Sequence, residues 1–220
     1  MNASIMAILI LVSILIIGFF KLILSLRTVN KNGNLLVEFT KKFIELANAY
    51  YSDEDFQNEN YEYLLANVDE VNNLLGGAGV IAYKPAYANF MHNNYQILIN
   101  TLPQFKSQMG PHQDDVTSLE SILKRVAGVI KKEATAQISD LKNPLKWFSA
   151  GISSILSLPL TFLKSIGLLS NRSYNKVKTS GVFKFLIGII SLISFIDTIY
   201  TIFTGTSFSI QLIKLIITKL

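Results

Sequence analysis

Cysteine is absent from this 220-residue chain, which excludes disulfide frameworks, thiolate metal centres and cysteine nucleophiles. Charge is scarce as well. Asp, Glu, Lys and Arg make up 16% of the residues, against roughly a quarter in an average soluble domain. His92 and His112 are the only histidines, and neither has an acidic partner at metal-ligand spacing. No segment alternates polar and apolar residues convincingly, so strands are not expected.

The usual signatures of chemistry are missing too. Leu75-Gly76-Gly77-Ala78-Gly79 has neither the G-x-G-x-x-G order nor the Lys-Ser/Thr of a phosphate-binding loop, and it reads as a helix end followed by a turn. Asp53, Glu54, Asp55, Glu59 and Glu62 form a charge run at a helix start and lack the alternating spacing of a calcium loop. No serine sits in a nucleophile elbow. The expectation is a protein with no catalytic residue, no cofactor and no metal.

Long apolar runs take their place. Half of the residues are hydrophobic and the mean hydropathy is +0.38. Residues 3–20 carry no charge, and Leu22 to Leu26 extend the run past Lys21, which can snorkel. Eighteen helical residues reach about 27 Å, close to a hydrocarbon core of about 30 Å. The basic n-region and small-residue cleavage site of a secretory signal are missing, so 1–26 reads as a transmembrane anchor. A second run covers 145–169, behind an Asn143-Pro144 helix start and with Pro159 expected to kink it. A third covers 182–203. After Thr204-Gly205-Thr206, the stretch 207–220 is amphipathic and expected in the interface.

The polar residues of the two C-terminal runs are ordered. Ser149, Ser153, Ser157 and Thr161 recur every four residues, and Ser191, Ser194, Asp197 and Thr201 share a second face. Small and hydroxyl-bearing residues favour helix packing in membranes, so the two faces are expected to meet in an antiparallel hairpin, with Gly188 and Gly205 allowing close approach. Ile152 and Ile155, on the aliphatic side, should then face lipid. Asp197 is the one carboxylate inside an apolar run, which makes it the candidate intramembrane functional residue.

The net charge of +5 is unevenly placed: +1 over 1–26, −3 over 27–142 and +7 over 143–220. The basic excess flanks the apolar runs, where anionic headgroups lie, while the middle region would repel a phosphate backbone. Nucleic acid is not an expected partner. Arg27, Lys31, Lys41, Lys42, Lys131, Lys132 and Lys142 bracket the middle region, and the N-terminal tail has no cation to set against them. That asymmetry favours a cytoplasmic middle domain. With three spans, however, Arg172, Lys176 and Lys178 fall on the opposite side. The conflict disappears if 145–169 lies along the surface.

Residues 27–142 show three helical stripes. They are Leu36, Phe39, Phe43, Leu46 and Tyr50; then Tyr61, Leu64, Leu65, Val68, Val71 and Leu75; then Leu119, Ile122, Leu123, Val126, Ile130, Ala134, Ile138 and Leu141. Thr117 and Glu120 have capping-box spacing, Asp114 and Asp115 read as capping residues, and 94–102 reads as a short helix. The aromatic stretch with Tyr83, Tyr87 and Phe90 is the candidate partner-binding loop.

The expected fold is therefore an all-α membrane protein, with an anchor at 1–26, a small helical bundle at 27–142 and a membrane region at 143–220. The expected setting is multi-pass in a bacterial cytoplasmic membrane, since the Ile-, Asn- and Lys-rich composition suits an AT-rich genome. The expected role is a non-enzymatic interaction or sensor domain coupled to the membrane helices, with lipid, a cytoplasmic protein and further copies of the chain as partners. The alternative is an oligomeric pore or membrane-permeabilising effector lined by the hydroxyl faces.

Overall fold

A computed structural model describes residues 3–52, 58–83, 89 and 91–207. Helices dominate: α1 (Ala3–Tyr51), α2 (Asn58–Leu75), α3 (Ile97–Thr101), α4 (Gln113–Leu141), α5 (Pro144–Ser165), α6 (Asn171–Thr179) and α7 (Gly181–Thr204). The contacts divide the chain into two units, one of 1–26 with 137–220 and the other of 27–136. Helices α1 and α4 each contribute residues to both.

The 27–136 unit is a helical bundle around one apolar core. The α1 stripe supplies Leu36, Phe39, Phe43 and Leu46, all fully buried. Helix α2 adds Tyr61, Leu64, Val71 and Leu75, and α4 adds Val116, Leu119, Ile122 and Leu123. Burying each such side chain contributes about 1.5–3 kcal/mol. Phe43 and Tyr50 both meet Phe105 edge-to-face, with centroids 6.0 and 5.5 Å away. The stripes differ from expectation at their margins. Leu65 is exposed, and on α4 burial ends near Ile130, leaving Ile138 exposed.

Two local expectations are corrected. A two-stranded antiparallel hairpin joins β1 (Val80–Tyr83) to β2 (His92–Gln96), so 94–96 is strand and the short helix begins at Ile97. Asn94 has φ +67°, a left-handed conformation that Asn tolerates better than most residues, and the strand register is irregular there. Helix α4 also begins earlier than the capping box implied. Asp114 and Asp115 lie in its first turn, Thr117 Oγ1 donates to the Gln113 carbonyl within the helix, and Glu120 pairs with Lys124. Gly76, at φ +49°, ends α2 in the turn expected of it.

In the other unit, α1 and α7 are, among the described residues, the two helices long and apolar enough to cross a membrane. Their side chains point outward: Phe20 is 60% exposed, Phe185 67% and Phe203 85%. A soluble core helix would bury such residues. Helix α5 falls short of that measure, because its serines, Pro159 and lysines dilute the apolar run. Asn143 caps α5, its side-chain oxygen accepting from the Leu145 N–H at 3.0 Å, and Pro144 follows inside the first turn. Ser180 caps α7, and Gly205 closes it at φ +72°.

Candidate functional site

Helices α1 and α7 run antiparallel. Near the start of α1, Ser4 Oγ donates to the Thr201 carbonyl near the end of α7, at 3.4 Å. Lys21 and Leu22 share a cleft with Phe183, Lys184 and Ile187 at the start of α7. Helix α5 crosses α1 where two glycines meet backbone. A Cβ on Gly151 would stand 2.2 Å from the Ile14 carbonyl oxygen, so only hydrogen fits there. Ile14, Phe148 and Ile152 form the buried centre of this crossing, and Phe148 contacts Phe195 of α7 at 5.3 Å.

The hydroxyl faces do not interlock as expected. Ser149 and Ser153 line the cleft with Lys21 and the start of α7. Ser157 is buried and donates to the Ser154 carbonyl. Thr161 donates to the Ser157 carbonyl and lies 3.4 Å from the Tyr174 hydroxyl. Thr198 and Thr201 likewise spend their hydroxyls on the carbonyls of Ser194 and Asp197. Among the described residues, no serine or threonine of one face hydrogen-bonds the other. The reason is local, since a helix hydroxyl reaches its own i−4 or i−3 carbonyl more readily than a neighbouring helix. Ser191 is the exception: its hydroxyl is buried and has no hydrogen-bond partner among the described residues.

Two further expectations are overturned. Ile152 does not face lipid; it is 7% exposed and packs against Ile14. Ile155, more open, keeps its outward place. Gly188 has no atom near its would-be Cβ, and Gly205 serves as a helix terminator, so the close approach belongs to Gly18 and Gly151 instead. Sequence reasoning missed that crossing, although a glycine inside the first apolar run was its signal.

Asp197 lies on α7 beside a cleft of about 500 Å³ that is otherwise mostly apolar and includes Met6, Ile10, Ile14 and Ile193. Ser207, just beyond Gly205, donates to its carboxylate, 3.1 and 3.2 Å from the two oxygens. The carboxylate is therefore hydrogen-bonded, which offsets the cost of placing it beside an apolar cleft.

The candidate partner-binding loop is represented by Tyr83; Tyr87 and Phe90 lie outside the described residues, as do 208–220 and the acidic run at 53–55. Tyr83 stacks on Tyr95 across the hairpin, centroids 4.4 Å apart. Beside it a cleft of about 430 Å³ is lined by Ile81, Tyr83, His112, Asp114, Asp115 and Ser118. His112 does have an acidic neighbour, Asp114, at 3.7 Å, and its Nδ1 accepts the Asp114 backbone N–H at 3.3 Å. Asp115 is 5% exposed, and burial pushes its carboxyl above the ordinary range, while His112 and a hydrogen bond from Tyr83 act in the opposite direction. Burial likewise pushes the Tyr83 and Tyr95 hydroxyls up. Among the described residues no group of three His, Asp or Glu side chains stands at metal-binding distance. No protein family matches the chain, and no curated protein or solved structure matches it either.

Proposed function

We propose that this chain is a non-enzymatic integral membrane protein that crosses the bilayer twice, through α1 and α7, and carries a cytoplasmic helical interaction or sensor domain. The observation that carries this reading is the antiparallel pairing of two outward-apolar helices, with Ser4 beside Thr201 and Lys21 beside Lys184. With two crossings, the 27–136 unit, α5 and α6 all fall on one side of the membrane. Arg172, Lys176 and Lys178 then join the lysines and arginines that bracket the bundle, and only Lys214 and Lys219, after α7, fall on the opposite side. Helix α5 enters from the inner face and packs between the two crossings, Phe148 against Phe195 and Ile152 against Ile14.

In this reading the bundle recognises a cytoplasmic protein at the cleft beside Tyr83, where a rigid aromatic pair borders polar groups. Binding there is coupled to the membrane through α1 and α4, which contribute to both units. The outward apolar faces of α1 and α7 contact lipid or a second copy of the chain, and the bacterial cytoplasmic membrane is the proposed setting.

The cysteine-free chain allows a direct test. Cysteine introduced at Arg172 should be protected from an impermeant thiol reagent in intact cells, as should one at Val129 in the bundle. Labelling at position 172 but not 129 would restore three crossings and sink the two-crossing topology. The pore alternative draws on the buried Ser191 hydroxyl, which has no hydrogen-bond partner among the described residues. Reconstituted vesicles should stay ion-tight; steady conductance would favour the pore.

A further inference from the structure

We propose that the cleft where Lys21 of α1 meets the starts of α5 and α7 binds a phosphate group, either that of an anionic phospholipid or free phosphate. Four lysines converge there from four helices: Lys21 on α1, Lys146 on α5, Lys178 on α6 and Lys184 on α7. One carboxylate, Asp140, answers them, and it pairs with Lys146 at 3.6 Å. The other three are not neutralised. Lys21 donates to two neutral acceptors, the Ala150 carbonyl and Ser153 Oγ, each at 3.4 Å. Lys178 donates to the Tyr174 hydroxyl at 3.1 Å. The Lys184 ammonium has no ion pair or hydrogen bond among the described residues.

Three like charges around one cleft repel one another unless an anion joins them. Ser149 and Ser153 add hydroxyl donors on the same wall, and the space, about 430 Å³, admits a phosphate with its ester substituent. The depth fits too. Lys21 interrupts the apolar run of α1 near its end, Lys146 opens α5 and Lys184 opens α7, so the cleft lies near one end of all three apolar stretches. In a bilayer that is headgroup level. The lipid source rests on the membrane reading above; the phosphate chemistry does not.

Trp147, the single tryptophan, lies one residue from Lys146 and is a built-in reporter. Full-length protein in neutral detergent would be titrated with phosphatidylglycerol, phosphatidylcholine or inorganic phosphate, followed by tryptophan fluorescence and by calorimetry. Saturable binding of phosphatidylglycerol alone identifies a headgroup site, and saturation by inorganic phosphate identifies a free-phosphate site. Replacing both Lys178→Gln and Lys184→Gln should weaken binding about twenty-five-fold, at about fivefold for each lysine. Lys184→Arg, which keeps the charge, should bind normally, and Lys131→Gln with Lys132→Gln, an equal change of net charge elsewhere, should have no effect. Absence of saturable binding in both measurements overturns the proposal, as does equal loss in the 131/132 variant, which would mean attraction by net charge alone. Carbonate extraction of membranes tests the membrane reading separately: release of the protein would refute that reading and leave the phosphate titration to stand or fall by itself.

Discussion

Gly18 presses against the backbone of Trp147 so closely that a Cβ at position 18 would stand 1.7 Å from the Trp147 carbonyl oxygen. A ring contact fastens the same crossing, since Phe19 meets the Trp147 indole at 4.8 Å. The indole N–H in turn donates to the Leu141 carbonyl at 3.0 Å. Backbone packed on backbone has no side-chain freedom with which to absorb an added methyl.

Gly18→Ala should therefore force α1 and α5 apart and destabilise the protein by about 1–3 kcal/mol, the usual cost of overpacking. Gly188→Ala, with nothing near its would-be Cβ, should be neutral or slightly stabilising. Thermal unfolding in one detergent would compare the pair. Equal midpoints for the two variants would show that the crossing does not hold.

Ile152→Ala should cost about 2–5 kcal/mol, because Ile152 fills the space between Ile14 and Phe148. Ile155→Ala, on the more open side of the same helix, should cost far less. Cysteine pairs at Ile14 and Ile152 should cross-link efficiently, and failure to do so would contradict the packing.

The bundle core was largely legible in the sequence, and for a physical reason. Residues such as Phe39, Phe43, Leu119 and Leu123 repeat at helical spacing because each helix shows the core one face. Periodicity names the face but not its length, and the stripes run on to Leu65 and Ile138, which stay exposed. The hairpin was hidden because His92-Asn93-Asn94-Tyr95-Gln96 has little strand propensity, and pairing with Val80–Tyr83 makes it a strand. The α1–α5 crossing was hidden because a glycine reveals a close approach only once its partner is known; Gly18 and Gly188 look alike in sequence and differ in what lies opposite. The convergence of the four lysines was illegible for the same reason, as they are scattered over more than 160 residues.

Asp115 should make stability fall as pH rises. Burial favours its protonated form in the folded chain, so the unfolded chain gives up the proton first. Stability is lost as pH climbs from the ordinary carboxylate value through the raised folded value. Asp115→Asn, which still accepts the Tyr83 hydrogen bond, should raise the melting temperature at pH 7, and the gain should shrink at about pH 3. A variant less stable than the parent at pH 7 would show that the charged form is favoured instead.

Phe39→Ala should cost about 3–5 kcal/mol, since its side chain is fully buried. Replacing Lys131 and Lys132 with Gln, both on an exposed face of α4, should change stability by no more than about 0.5 kcal/mol each. Urea unfolding followed by circular dichroism would separate the two cases. A large loss in the lysine variant would mean that this face holds structure rather than solvent.

The shared helix α1 also sets a schedule for synthesis. Its apolar residues Leu36, Phe39 and Phe43 leave the ribosome about 80 residues before Leu119 and Leu123, which share their core. At about 5–20 residues per second, that is a wait of roughly 4–16 s. During those seconds the second half of α1 shows a sticky stripe to water. The nascent chain must shield that stripe, with α2 as the first cover available, and slowing translation between Leu75 and Leu119 would lengthen its exposure to aggregation.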